Sequence, residues 1–348
     1  MIFSHNGSFL IVKMSALGDV LQALDCAQYL KNKYPFCHIT WAIETKCASL
    51  AAACPYIDEV ISLDIKGLKR KPWQFIKASL RFLQVLNKRY YDVIWDLQGN
   101  CKSAIVTYFT KGACKVGFGK NSVAEWPGTW VVDKMYEVEP GWPIAEQYLF
   151  LLRAYFQDEK PFVATAHHLK VSEKILLPKT ACPHRFMVCP GSFWENKRLS
   201  EDTLFNFLSL LKKHYKPFMV LIWGTEQERV VVERLSKKLK DDVLILGQLK
   251  FPCWQQLMTQ MDCVITMDSC ALHLAALAGV ATFSVFGASS SQVYRPQGIH
   301  HKGYQGRCPY GEIFTKRCPK LRTCRTGACI KDIQAEALME AFSTLKSP

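Results

Sequence analysis

Near its start the chain reads Ser8-Phe9-Leu10-Ile11-Val12-Lys13-Met14-Ser15-Ala16-Leu17-Gly18-Asp19-Val20. Residues 8–12 have the length and β-branching of a buried strand. From Val20 onward, Val20, Leu21, Leu24, Ala27, Tyr29 and Leu30 recur near helical spacing, and Pro35 stops the run. A strand, a tight turn with a glycine and then a helix open a βαβ unit. In open α/β sheets ligands gather at the carboxyl ends of the strands. Asp19 therefore stands at the mouth of a candidate site, in the first helical turn. Its charge there also suits the positive end of the helix dipole for structural reasons alone. Position leaves both roles open.

Outward from this stretch the first half alternates. Strand-like runs occur at 9–12, 38–43, 59–63, 92–97, 114–118 and 130–132, with helices expected at 75–87 and 142–156. In the 75–87 helix Phe75, Ile76, Leu80, Leu83 and Leu86 are read as one apolar stripe, with the bases elsewhere. Residues 157–183 lose strong periodicity and carry Pro161, Pro183 and a His pair, the mark of an inter-domain passage. A second series begins at Arg185. Its strands are expected at 186–189, 219–223, 243–246, 263–267 and 282–286, and its helices at 200–215, 227–239, 254–260 and 269–278, with a last helix at 332–345. Apolar strands that do not alternate suit parallel sheets covered on both faces. The expectation is α/β, with two Rossmann-like doubly wound domains facing across a cleft. The boundaries expected are an N-terminal domain at 1–165, a passage at 166–184, a C-terminal domain at 185–330 and a terminal helix at 331–348.

The 348 residues suit about two domains. The N-terminus lacks a basic segment, Lys13 interrupts the first apolar run, and no stretch is apolar for the ~18 residues of a membrane span. The expectation is a soluble, cytosolic chain. Of 15 cysteines, those from Cys26 to Cys270 are scattered singly, as small buried hydrophobes would be. Cys308, Cys318, Cys324 and Cys329 cluster in a basic tail whose spacing fits no standard zinc pattern, which suggests free thiols or one disulfide. Net charge is +14, and it is uneven. Lys66, Lys69, Arg70, Lys71, Lys77, Arg81, Lys88 and Arg89 follow one another with no acid between, and Glu312 is the only acid between Arg295 and Lys331. A solvated face is the usual fate of such lysines, but one-sided density also attracts anionic partners.

Several chemistries are excluded. The one Gly-x-Gly, Gly117-Phe118-Gly119, lacks the third glycine of a dinucleotide fingerprint, and Walker A, Asp-x-Asp and Gly-x-Ser-x-Gly patterns are absent. Three polar segments follow expected strands of the second half. Pro190-Gly191-Ser192-Phe193-Trp194-Glu195-Asn196-Lys197-Arg198 offers N–H groups, a hydroxyl and a cation to an anion. Trp223-Gly224-Thr225-Glu226 places a carboxylate where it can accept from a ribose. Asp268-Ser269-Cys270-Ala271-Leu272-His273 opens a helix, with Asp268 either an N-cap or one wall of a phosphate site. His273 is a core histidine or a pocket donor. Each has a plain structural explanation; together they point to a nucleotide-diphosphate pocket.

Five blocks then carry a specific resemblance: residues 10–20; Tyr91-Asp92-Val93-Ile94-Trp95-Asp96-Leu97-Gln98-Gly99 with Lys102-Ser103; the 191–197 loop; Trp223-Gly224-Thr225-Glu226; and Asp268-Ser269 with His273-Leu274. In order and spacing they resemble the ADP-heptose:lipopolysaccharide heptosyltransferases, glycosyltransferase family 9. The resemblance implies a GT-B fold and an inverting, metal-independent transfer, with the acceptor in the first domain and the nucleotide sugar in the second. It assigns Asp19 as general base. Lys197 would grip the diphosphate, Glu226 the nucleoside and Asp268 the sugar, with Ser192, Ser269, Cys270 and His273 completing the donor site. The family usually has glycine where Cys270 stands. Lys13, Lys66, Lys69, Arg70 and Lys71 would meet the anionic acceptor. No metal or other cofactor is implied. The implied partners are an ADP-sugar and a lipid A–Kdo acceptor, met peripherally at the inner face of the cytoplasmic membrane; no nucleic acid is expected. Two rivals are a same-fold transferase for another nucleotide sugar or acceptor, and a non-enzymatic binder of anionic glycolipid or nucleic acid.

Overall fold

The computed structural model describes residues 6–68 and 71–345. The chain divides into two units, residues 1–164 and 165–348. In the first unit the order is Ser8–Val12 (β1), Leu17–Lys33 (α1), His38–Glu44 (β2), Thr45–Ala53 (α2), Glu59–Leu63 (β3), Ile65–Leu68 (α3), Pro72–Leu86 (α4), Tyr91–Asp96 (β4), Cys101–Phe109 (α5), Gly112–Phe118 (β5), Lys134–Tyr136 (β6) and Ile144–Tyr155 (α6). The second unit holds His184–Cys189 (β7), Glu201–Tyr215 (α7), Pro217–Trp223 (β8), Glu226–Leu239 (α8), Val243–Gly247 (β9), Phe251–Met258 (α9), Cys263–Met267 (β10), Cys270–Leu277 (α10), Thr282–Phe286 (β11), Ser291–Tyr294 (α11), His301–Gln305 (β12), Ala328–Lys331 (α12) and Ala335–Ser343 (α13).

Each unit carries a six-stranded sheet, in the orders β3-β2-β1-β4-β5-β6 and β12-β11-β10-β7-β8-β9. All pairings between these strands are parallel. Strand order therefore reverses between β1 and β4 in one sheet and between β7 and β10 in the other. At such a crossover the loops leaving two adjacent strands part in opposite directions and leave a crevice at the carboxyl edge.

Along β1 the pleat sends alternate side chains to opposite faces. Leu10 and Val12 pack with Phe82 and Leu86 of α4 and Val106 of α5. On the other face Phe9 meets Trp95 and Phe156, and Trp95 meets Tyr155 at the end of α6. In the second unit α13 is part of the core: Leu338 and Phe342 pack with Phe186, Phe207 and Phe283. Residues 166–183 form no helix or strand but are pinned to the second unit. The amide N–H groups of Leu169, Ile175 and Leu177 donate to Gln255, Gln256 and Gln260, along α9 and just past its end.

Two expectations are corrected. Residues 126–131 form a 3-10 turn where a strand was expected at 130–132, and the edge strand is the short β6 beyond it. The turn begins at Trp126-Pro127-Gly128, and proline at its first turn suits a tight helix entry. Ile76 and Leu80 are exposed, so the stripe of α4 that faces the core is Phe82 and Leu86, with Phe75, Ala78, Leu83 and Val85 partly buried beside them. The four tail cysteines are free thiols, one of the two arrangements expected, and so are the other 11. Among the described residues no helix is long and apolar enough to cross a membrane.

Candidate functional site

At the crossover of the first sheet the loops after β1 and β4 are laced together. The Lys13 ammonium, buried, donates to the Leu97 carbonyl at 3.3 Å and lies 4.6 Å from the centre of the Tyr148 ring. The Ser15 N–H donates to Gln98 Oε1 at 3.0 Å, and Trp41 Nε1 donates to the Lys13 carbonyl at 3.1 Å. Asp96 closes the β4 loop, accepting from the N–H groups of Gln98 and Gly99 at 2.9 Å each. Burial pushes its carboxyl up; N–H and hydroxyl donors and the nearby Lys13 only partly offset that. Gly99 itself has φ +64°, a left-handed turn that glycine reaches without strain. Asp19, half-buried, lies in the first turn of α1, whose N-cap is Ala16. That cap offers no side-chain acceptor, so Asp19 is the first turn's acidic group.

The second crossover holds a denser set. Lys197 and Asp268 are only 7 % and 8 % exposed, and the Lys197 ammonium donates directly to Asp268 Oδ2. Ser289 Oγ donates to the same oxygen at 2.5 Å, and Ser192 Oγ donates to the Asp268 carbonyl at 3.1 Å. Burial alone would raise the Asp268 carboxyl. The Lys197 charge and hydrogen bond, the Ser289 hydroxyl and nearby His273 outweigh it and hold the group below the usual carboxylate range. Lys197 also lies 5.7 Å from the centre of the Tyr294 ring, whose other cation neighbour is Arg317 at 4.8 Å. Arg317 is held there by the antiparallel bridge between Ser289 and Arg317. The basic tail thus folds back over the loop after β11.

Ser192, Lys197, Asp268 and the nearby His273 are brought together. Ser269 is the N-cap of α10, and Cys270 is its first residue, half-buried and electrostatically close to Cys189 at the end of β7. Asp268 is not a cap: its carboxylate is taken by Lys197 and Ser289. Glu226 does not join this set; it begins α8 on the surface, paired with Arg229 at 3.1 Å. Lys71 is exposed at the N-cap of α4. Lys69 and Arg70 lie outside the described residues, and of Lys66 only the backbone is described.

Two side chains not singled out from the sequence take part. Ser289 follows β11, in a Ser289-Ser290-Ser291 run that was the available signal. Glu228 completes the capping box of α8 with Thr225 and accepts from the Gly224 and Thr225 N–H groups at 2.8 and 3.1 Å. A Cβ at Gly191 would come within 2.1 Å of its Oε1, so glycine there lets the phosphate-type loop approach α8.

The model of glycosyltransferase family 9 (heptosyltransferase) matches residues 79–319. The chain belongs to glycosyltransferase family 9. It is 28 % identical over 296 residues to a lipopolysaccharide heptosyltransferase 1 of Campylobacter coli, covering 81 % of this chain and 84 % of the relative. A second protein of that name, from Pseudomonas aeruginosa, is 25 % identical over 283 residues, covering 81 % and 79 %. Among solved structures, the E. coli heptosyltransferase WaaC with ADP-2-deoxy-2-fluoro heptose superposes with a TM-score of 0.76 at 18 % identity, covering 97 % of this chain and 99 % of WaaC. The family 9 glycosyltransferase of Veillonella parvula gives 0.79 at 17 %, covering 99 % and 98 %. The fold is GT-B, with two Rossmann-like units, and the family 9 member is a glycosyltransferase.

Proposed function

We propose that this family 9 protein transfers a heptose from ADP-heptose to the Kdo inner-core region of lipopolysaccharide, with inversion and without a metal ion. The observation that carries the reading is the buried Lys197–Asp268 pair, tied to Ser192 and Ser289 at the crossover of the second sheet. Relatives named lipopolysaccharide heptosyltransferase 1 support the sugar and the acceptor class.

In this reading the second unit takes the donor and the first the acceptor. Asp19 accepts the proton of the attacking hydroxyl, a role typically worth about 10²–10⁴-fold in rate. The departing nucleoside diphosphate gains negative charge. Lys197 and the N–H groups opening α10 at Ser269 and Cys270 are preorganised to receive it. Asp268 holds the ammonium in place and meets the sugar. Glu226 takes the ribose, and His273 supports Asp268. Direct displacement from the opposite face inverts the anomeric carbon. Lys66, Lys69, Arg70 and Lys71 meet the acceptor's acidic sugars, at the cytoplasmic face of the inner membrane; Lys13, its ammonium buried on the Leu97 carbonyl, instead braces the loop that leads to Asp19.

Calorimetry with ADP, UDP, GDP and their sugars, with product detection by mass spectrometry, tests the donor. ADP-heptose is expected to bind tightest and to give a heptosylated Kdo product, with EDTA leaving the rate unchanged. Preference for UDP or GDP sugars would replace the donor, and loss of turnover in EDTA would remove the metal-free mechanism.

A further inference from the structure

One face of the first unit is apolar where it should be polar. Helix α4 buries Phe75, Phe82 and Leu86 against the sheet, as an amphipathic helix does. At about 3.6 residues per turn, Trp73, Ile76 and Leu80 fall on the opposite side. They are 83 %, 49 % and 57 % exposed. Lys77 and Arg81 flank them on that outer side, and both are exposed. A polar face would be the ordinary outcome for such a helix; three large apolar side chains in line are not.

The neighbouring helix repeats the pattern. Val106 of α5 joins the same core cluster as Phe82 and Leu86, so both helices cover one face of the sheet. Their C-terminal ends are joined: Asn87 Nδ2 donates to the Phe109 carbonyl at 2.8 Å, and the Lys111 N–H donates back to Asn87 Oδ1 at 2.8 Å. Outward, α5 shows Ile105, Tyr108 and Phe109, each more than half exposed. The bases belong to the same segment. From Ile65 to Tyr91 the sequence contains no acid.

We propose that the outer faces of α4 and α5 form a membrane-docking surface, which seats the first unit on an anionic lipid bilayer. Trp73, Ile76 and Leu80 enter the region between headgroups and acyl chains, and Lys77 and Arg81 reach lipid phosphates. Aromatic and aliphatic residues on an interfacial helix with lysine and arginine beside them are the chemistry that such a boundary selects. Charge complementarity favours lipid over a second copy of this chain. Self-pairing of the face would set Lys77 and Arg81 against like charges. The inference rests on the acceptor class proposed above, since a lipid-anchored acceptor is met at a bilayer surface.

Sedimentation with vesicles of phosphatidylcholine, with and without phosphatidylglycerol, tests it. The full chain is expected to bind the anionic vesicles, and salt should weaken the binding. Trp73→Gln/Ile76→Gln/Leu80→Gln and Lys77→Glu/Arg81→Glu should each reduce the partition coefficient by more than about tenfold. Both should leave ADP affinity unchanged, which also reports that the second unit is folded. Independently of those variants, brominated lipid should quench tryptophan emission in the bound wild-type chain, and less so in Trp73→Phe. Absence of wild-type binding, equal binding by the variants, or quenching indifferent to Trp73 would overturn the proposal. So would a concentration-dependent dimer that the triple variant abolishes without any vesicle binding. Transfer to a water-soluble acceptor lacking acyl chains separates the two readings. If it proceeds while vesicles are ignored, the surface fails and the function stands.

Discussion

Lys197 and Asp268 neutralise each other out of reach of water, and that sets what either residue can do. Removing one partner leaves the other's charge buried and uncompensated, typically a loss of 3–5 kcal/mol. Asp268→Asn is therefore expected to lower stability to chemical denaturation by about that much, and to weaken ADP binding by displacing the ammonium. Lys197→Met should weaken ADP binding as strongly. Unchanged ADP affinity in both would detach the pair from the donor. Both residues stand out in the sequence as polar groups just past apolar strands. Their direct contact does not, because they are 71 positions apart and only the parallel pairing of β7 with β10 brings them together. Glu228 shows the converse. The sequence offers Glu226 as the nucleoside carboxylate, and it stands exposed at the start of α8; Glu228, two positions on and without a signal of its own, is the one that turns toward Gly191.

Elements were legible where packing is two-sided. Strands such as β10 and β11 are buried at every position and are mostly apolar, with Thr266, Thr282 and Ser284 as small exceptions, and their bounds follow from composition. Of the edge strands, β3 and β9 are apolar enough to be read from composition, while β6 and β12 are not. His301-Lys302-Gly303-Tyr304-Gln305 pairs along β11 with a polar sequence and carries no apolar signal. Tyr108 and Phe109 look like core residues and are not. The junction of α1 with α6 carries a further consequence. Burial, and then the charge of Glu146, raise the Asp25 carboxyl from the ordinary 3.8 to about 7. The folded state then binds more protons than the unfolded one between these values, so this group makes stability fall as pH rises from about 4 to about 7. Asp25→Asn removes the penalty. Its melting temperature should exceed that of the wild type at pH 8, with the difference shrinking toward pH 4. A difference independent of pH would show that Asp25 ionises in the folded protein as it does in the unfolded chain.

At the scale of the whole molecule, the two alternating series announce two parallel sheets, because runs of apolar strand and amphipathic helix can bury themselves in few other ways. A nucleotide-diphosphate pocket was legible because polar residues interrupt those runs at the carboxyl ends of strands, where the crossovers of both sheets leave crevices; the sugar transferred was legible only through the resemblance to family 9. The proposed chemistry divides its labour between units, with the proton acceptor on the first and the leaving-group site on the second. One comparison tests that division most directly: Asp19→Ala against wild type, with heptosyl transfer followed by mass spectrometry and ADP-heptose affinity measured by calorimetry on the same preparations. The account predicts a fall in transfer of about 10²-fold or more with donor affinity within about twofold of wild type. Preserved turnover, with or without weakened donor binding, would contradict it.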